Sequence, residues 1–107
     1  DAEEAWRLAR DAVDQRARAR ALAVLGALRL ASGDPEAAAP DLRRASGILL
    51  QSGVGDPLLL GVLRTLARAL ETSDPAAAVA SLQRAADLAE QLRRRGFSER
   101  AIAAAGR

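Results

Sequence analysis

The sequence predicts an all-α chain built as a stack of helix pairs, and three observations carry that prediction. Alanine supplies about a quarter of the 107 residues, leucine is next, and β-branched residues are few. Alanine and leucine are strong helix formers, whereas β-branched residues favour strands. Second, the pairs Asp34-Pro35, Asp56-Pro57 and Asp74-Pro75 each set a good N-cap before a residue whose missing N–H costs nothing at the first helical position. Third, the chain repeats itself: Ala5, Ala9, Ala12 align with Ala38, Leu42, Ala45 and with Ala78, Leu82, Ala85. Steps of four and then three put each triplet on one helix face. The copies are offset by 33 residues (5 to 38) and then by 40 (38 to 78), the first being a helix-turn-helix period and the second several residues longer.

Taken in order, the signals predict six helices, over about 2–15, 17–31, 35–51, 57–72, 75–95 and 98–105. No Gly or Pro marks a break between Gln15 and Arg18, so the first two helices could be continuous; a break is preferred there because the repeat demands one. Gly33 stops the second helix. Pro40 falls past the first turn of the third, where it removes a hydrogen bond at a cost of about 3 kcal/mol. That helix is expected to kink there or to begin its regular part later. Gly53 and Gly55 break the chain before Asp56, and Gly96 ends the fifth helix. Ser98 can cap the last, with Phe97 and Ile102 at the spacing of a hydrophobic staple.

Composition removes most chemistry. The chain has no Cys, His, Lys, Asn, Tyr or Met. Disulfides and thiol chemistry are excluded, and so are most nucleophile–base pairs and metal-ligand clusters. The reading is therefore no enzyme, no cofactor and no metal. The sixteen basic residues are all arginine, against fourteen acids, for a net charge of +2; this balance gives no case for nucleic acid or membrane lipid. Arg16, Arg18 and Arg20, and Arg93 to Arg95, lack the one-sided basic face and interleaved aromatics that single-stranded nucleic acid needs. Gly53-Val54-Gly55 lacks the Lys and Ser/Thr of a phosphate loop and reads as a flexible connection. Paired acids such as Glu3 and Glu4, or Asp11 and Asp14, sit where a solvated helix start or face places them. There is no membrane-length apolar run and no leader pattern, which points to the cytoplasm. The chain begins at Asp1 in mid-pattern and reads as a piece of a longer protein.

Ala21-Leu22-Ala23-Val24-Leu25-Gly26, followed by Gly33-Asp34-Pro35-Glu36-Ala37-Ala38, Leu42 and Ala45, resembles a tetratricopeptide repeat. In that family a Leu-Gly pair on the first helix lets the second approach closely, and small residues receive it; Leu25, Gly26, Ala38, Leu42 and Ala45 match those positions. A second, degenerate copy has Leu66-Ala67 for Leu-Gly, then Ala78, Leu82 and Ala85. The resemblance implies a right-handed superhelix of helical hairpins (an α-α solenoid) in one domain over 1–107. Residues 1–16 would be the second helix of a partial repeat, 17–51 one repeat, 56–95 an elongated repeat and 98–106 a capping helix. Long, alanine-rich repeats of this kind are similar to those of large bacterial signalling ATPases and LuxR-type transcription regulators.

The implied function is a non-catalytic scaffold whose concave groove binds a protein or peptide. Arg20, Ala23, Ala27 and Leu30 would line the first repeat's share of the groove, and Arg64 and Arg68 the second's. Two arginines four apart could grip the carboxylates of an acidic partner; the plainer alternative is an exposed pair, or one paired with acids such as Glu71. The family's carboxylate clamp needs Asn and Lys and does not carry over. Trp6 is expected to pack against the second helix, or to stand exposed if the helix that covered it is absent. Two or three repeats are near the minimum for stability, so an exposed end offers a route to a homodimer. The same architecture also suits a small-ligand sensor region of a transcription regulator, or an accessory domain that docks a biosynthetic enzyme.

Overall fold

Aspartate side chains open four helices. Asp1 accepts from the Glu4 amide (2.8 Å), Asp34 from Ala37 (3.1 Å), Asp56 from Leu58 (2.9 Å) and Asp74 from Ala77 (3.1 Å). The computed structural model describes residues 1–52 and 55–105. Among these it contains α1 (Ala2–Ala31), α2 (Pro35–Gln51), α3 (Pro57–Leu70), α4 (Pro75–Arg94) and α5 (Glu99–Ala105), and no strand. Gly53 and Val54 of the expected connection, and Gly106 and Arg107 at the end of the expected capping unit, lie outside the described residues. Gly33 (φ +88°) and Gly96 (φ +94°) close α1 and α4 in the left-handed conformation that favours glycine. At both ends the backbone folds into the same double hydrogen-bonded stop, Asp34 N–H to Arg29 and Gly33 N–H to Leu30, then Phe97 N–H to Leu92 and Gly96 N–H to Arg93.

Two expectations are corrected. The break between 15 and 17 does not exist: α1 is one helix of 30 residues, about 45 Å at 1.5 Å per residue, and it accounts for the longest molecular dimension of 49 Å. Gln15-Arg16-Ala17-Arg18 are all good helix formers with no Gly or Pro among them. Nothing local opposes continuation, so residues 1–16 extend the helix of 17–31 and do not fold back beside it. Nor does α2 begin after Pro40; it runs through it. The acceptor left without a helical donor is the carbonyl of Glu36, in a solvent-exposed first turn.

Packing follows chain order. α1 lies on α2, α2 on α3 and α3 on α4; α1 also touches α3, and α3 and α4 touch α5. Among the described residues, nine of the twenty buried hydrophobic side chains are alanine, so the helices can approach closely where they cross. The closest approach is at Gly26: a Cβ there would stand 2.6 Å from Leu42 Cγ and 2.8 Å from Cδ2. Leu42, Leu60 and Leu92 are the largest fully enclosed side chains. An ion pair reinforces the first hairpin, Arg29 reaching Asp41 at 2.7 Å and the Ala37 carbonyl at 3.4 Å. Of the three aligned triplets, Ala38, Leu42 and Ala45 are buried throughout. In the third, Ala78 and Ala85 are buried but Leu82 is 51% exposed, because Ser81 takes the inward position. The first triplet is wholly exposed, as is every residue from 1 to 18.

Candidate functional site

The first candidate is a groove where α1, α3 and the end of α5 meet. Arg20, Ala23, Val24 and Ala27 form one wall. Leu58, Gly61, Val62 and Thr65 of α3 form the other, with Leu42 below and Ala105 at the end, around a space of about 190 Å³. Small side chains shape it. A Cβ on Gly61 would come within 2.7 Å of the Ala105 carbonyl oxygen, so the glycine is what allows α5 to seat. The Thr65 hydroxyl is turned inward and donates to the Gly61 carbonyl at 2.8 Å. Arg20 is exposed and makes no ion pair among the described residues.

Arg20, Ala23 and Ala27 are thus brought together in this groove. Leu30 lies farther along α1, half-buried against the core. Arg64 is half-buried and Arg68 exposed; neither lines the groove. Neither pairs with Glu71 or with another described acid. The residues sequence reasoning missed are Gly61, Thr65 and Ala105. Gly61 carried a signal: a glycine inside a helix costs about 1 kcal/mol relative to alanine, and a close approach is the usual compensation.

A second, larger cleft of about 570 Å³ lies beside the middle of α1. Ala12, Gln15 and Arg16 face Ile48, Leu49 and Gln51 of α2, the start of α3 and Arg95. Arg16 grips the α3 cap, Nε to Asp56 Oδ2 at 2.8 Å and Nη2 to Oδ1 at 3.2 Å. The same carboxylate accepts from the Leu58 amide at 2.9 Å. Burial alone would raise the Asp56 carboxyl. The hydrogen bonds from Arg16 and Leu58 and the charges of Arg16 and Arg20 outweigh burial and hold it below the ordinary carboxylate range. Arg95 donates to the Gly55 carbonyl and stacks over Phe97 at 5.4 Å.

The sign of the linkage is fixed by that depression. A carboxyl whose pKa is lower folded than unfolded stabilises above its unfolded value, about 4, and loses that contribution as pH falls through the folded value. Asp56→Asn retains a capping side chain but loses the charge, and Arg16 is nearly half exposed, so the expected cost at pH 7 is about 1 kcal/mol. Urea midpoints of wild type and variant should differ at pH 7, and the difference should shrink as pH falls below about 4. A constant difference across that range would show that the charge contributes nothing.

Among the described residues no three carboxylates gather as metal ligands would, and no helix is long and apolar enough to cross a membrane. No family model, no curated protein and no solved structure matches this chain.

Proposed function

We propose that the chain is a non-catalytic, protein- or peptide-binding scaffold of the tetratricopeptide type, its hairpins stacked as a right-handed superhelix within a larger bacterial regulatory protein. The order of packing supports this reading. Each of α1 to α4 lies on its neighbour in sequence; the odd-numbered helices α1, α3 and α5 touch in succession, whereas α2 and α4 do not touch. Stacked repeats leave an open surface by construction. The Gly26–Leu42 approach gives the Leu-Gly resemblance a physical counterpart. The observation that carries the function is the groove of small side chains, Ala23, Ala27 and Gly61, with the exposed Arg20 at its edge. An extended or helical segment bearing a carboxylate fits that chemistry.

Fluorescence polarisation with short acidic peptides tests it. Ala27→Arg, which fills the groove, and Arg20→Glu should each weaken binding by at least about tenfold, or 1.4 kcal/mol. Arg64→Glu with Arg68→Glu should weaken it less. Equal affinity for wild type and Ala27→Arg would overturn the groove assignment. The small-ligand sensor remains a second reading because the cleft beside Arg16, at about 570 Å³, falls within the size of small-molecule sites, roughly 300–1,000 Å³. Ligand-induced protection of Ile48 and Leu49, with no peptide binding, would favour it.

A further inference from the structure

Among the described residues the buried polar side chains are Asp41, Ser46 and Ser81. Asp41 is held by Arg29. The two serines, 6% and 7% exposed, have no hydrogen-bond partner among the described residues. A serine or threonine inside a helix can donate back to a carbonyl one turn earlier, and Thr65 does so to Gly61; Ser46 and Ser81 do not. Nor is either hydroxyl oxygen sealed off, since no enclosed polar atom of the described side chains is left without a partner. Both serines line one space, a cleft of about 360 Å³ between α2 and α4, which stand apart on α3.

Two matched stripes wall the cleft. Arg43, Ser46, Gly47 and Leu50 of α2 follow steps of three, one and three, and Ala77, Ala80, Ser81 and Arg84 of α4 follow the same steps, the spacing of one helix face. Leu66 and Leu70 of α3 form the floor. Each serine has an arginine three residues away on its own wall, about 4.5 Å of rise: Arg43 before Ser46, and Arg84 after Ser81. Both arginines are exposed, and neither is in an ion pair among the described residues. No described acid lines this space; Asp87, one turn beyond Arg84, lines the adjoining one with Leu88.

Four donors, two of them cationic, thus face one space from two walls with no acceptor among the described residues. Their complement is an anion whose oxygens point to both walls. A carboxylate offers two oxygens in one plane, whereas a phosphate monoester offers three around a tetrahedron and nearly two charges at pH 7. Leu50, 50% exposed at the cleft, gives the carbon side of an ester an apolar surface, and the volume falls within the range of small-molecule sites, roughly 300–1,000 Å³. We infer that the cleft between α2 and α4 binds a small phosphate monoester, whose phosphate accepts hydrogen bonds from Ser46 and Ser81 and is flanked by Arg43 and Arg84. Leu66 and Leu70 lie roughly 110° around α3 from Leu58, Gly61, Val62 and Thr65, so this site is separate from the peptide groove, and either can fail without the other.

Phenyl phosphate is the ligand for the test, titrated into the isotope-labelled chain at constant ionic strength and followed by NMR, with benzoate as the carboxylate control. We expect saturable amide shifts at Ser46, Gly47 and Ser81, and an affinity for phenyl phosphate at least about tenfold above that for benzoate. Ser46→Ala combined with Ser81→Ala removes two hydroxyls that have no partner to lose. The double variant should keep or raise the urea midpoint, alanine being the better helix former, while its affinity for phenyl phosphate falls at least about tenfold. Arg84→Gln should weaken binding similarly from an exposed position. No saturable shift up to about 10 mM, equal affinity for benzoate, or undiminished binding by the double variant would overturn the inference. So would a lowered midpoint in the double variant, which would mean that the hydroxyls are already satisfied within the fold.

Discussion

Leu42→Ala is expected to cost about 3–5 kcal/mol, with a matching fall in the urea midpoint. Leu42 is fully buried in a core whose alanines have no spare reach, so surrounding side chains cannot collapse into the space and the cavity persists. Gly26→Ala is expected to cost about 1–3 kcal/mol, although alanine alone would stabilise a helix by roughly 1 kcal/mol. The added methyl would meet Leu42 Cγ at 2.6 Å, in the enclosed part of the side chain and not at a mobile tip. Gly47→Ala is the control: nothing lies within 4 Å of a Cβ there, and a small gain is expected. Because the two core changes act on one space, they should not add. In the double variant the new methyl occupies part of the vacated volume, and the summed cost should exceed the measured one by about 1 kcal/mol or more. Strict additivity would mean that α1 and α2 do not meet at this point.

Gly61→Ala is the second large effect, and it acts on the groove. The obstacle there is backbone, the Ala105 carbonyl at 2.7 Å, which no rotamer change can clear. α5 must tilt away and take Ile102, 3% exposed in its seat, with it. A loss of about 1–3 kcal/mol is expected, confined to the C-terminal end. Amide exchange should read it directly, with α5 losing protection while the α1–α2 hairpin keeps its own. Uniform loss across all helices would show that α5 is part of one indivisible core.

What was legible in the sequence followed from local chemistry. Asp34, Asp56 and Asp74 before proline define helix starts because the cap and its amide lie two or three residues apart. A close approach at Gly26, with Leu42 among the receiving positions, was implied by the family resemblance and not by local chemistry, and the two do meet. The continuity of α1 was legible locally, since Gln15 to Arg18 are all helix formers with no Gly or Pro among them; the period of the repeat argued the other way and was given too much weight. Leu82 was assigned inward by analogy with Leu42, but in α4 the inward face passes through Ser81, and periodicity alone cannot place a face to within one residue. Arg20, Ala23 and Ala27, set on one face by the family resemblance, line one wall of the space between α1 and α3. Gly61 and Ala105 were not legible, because their meeting depends on where α5 returns. The Arg16–Asp56 pair spans forty residues, and no pattern in the chain announces it.

α3 touches every other helix: α1, α2, α4 and α5. The other four helices thus share one common centre, and loss of α3 would undo the whole molecule at once.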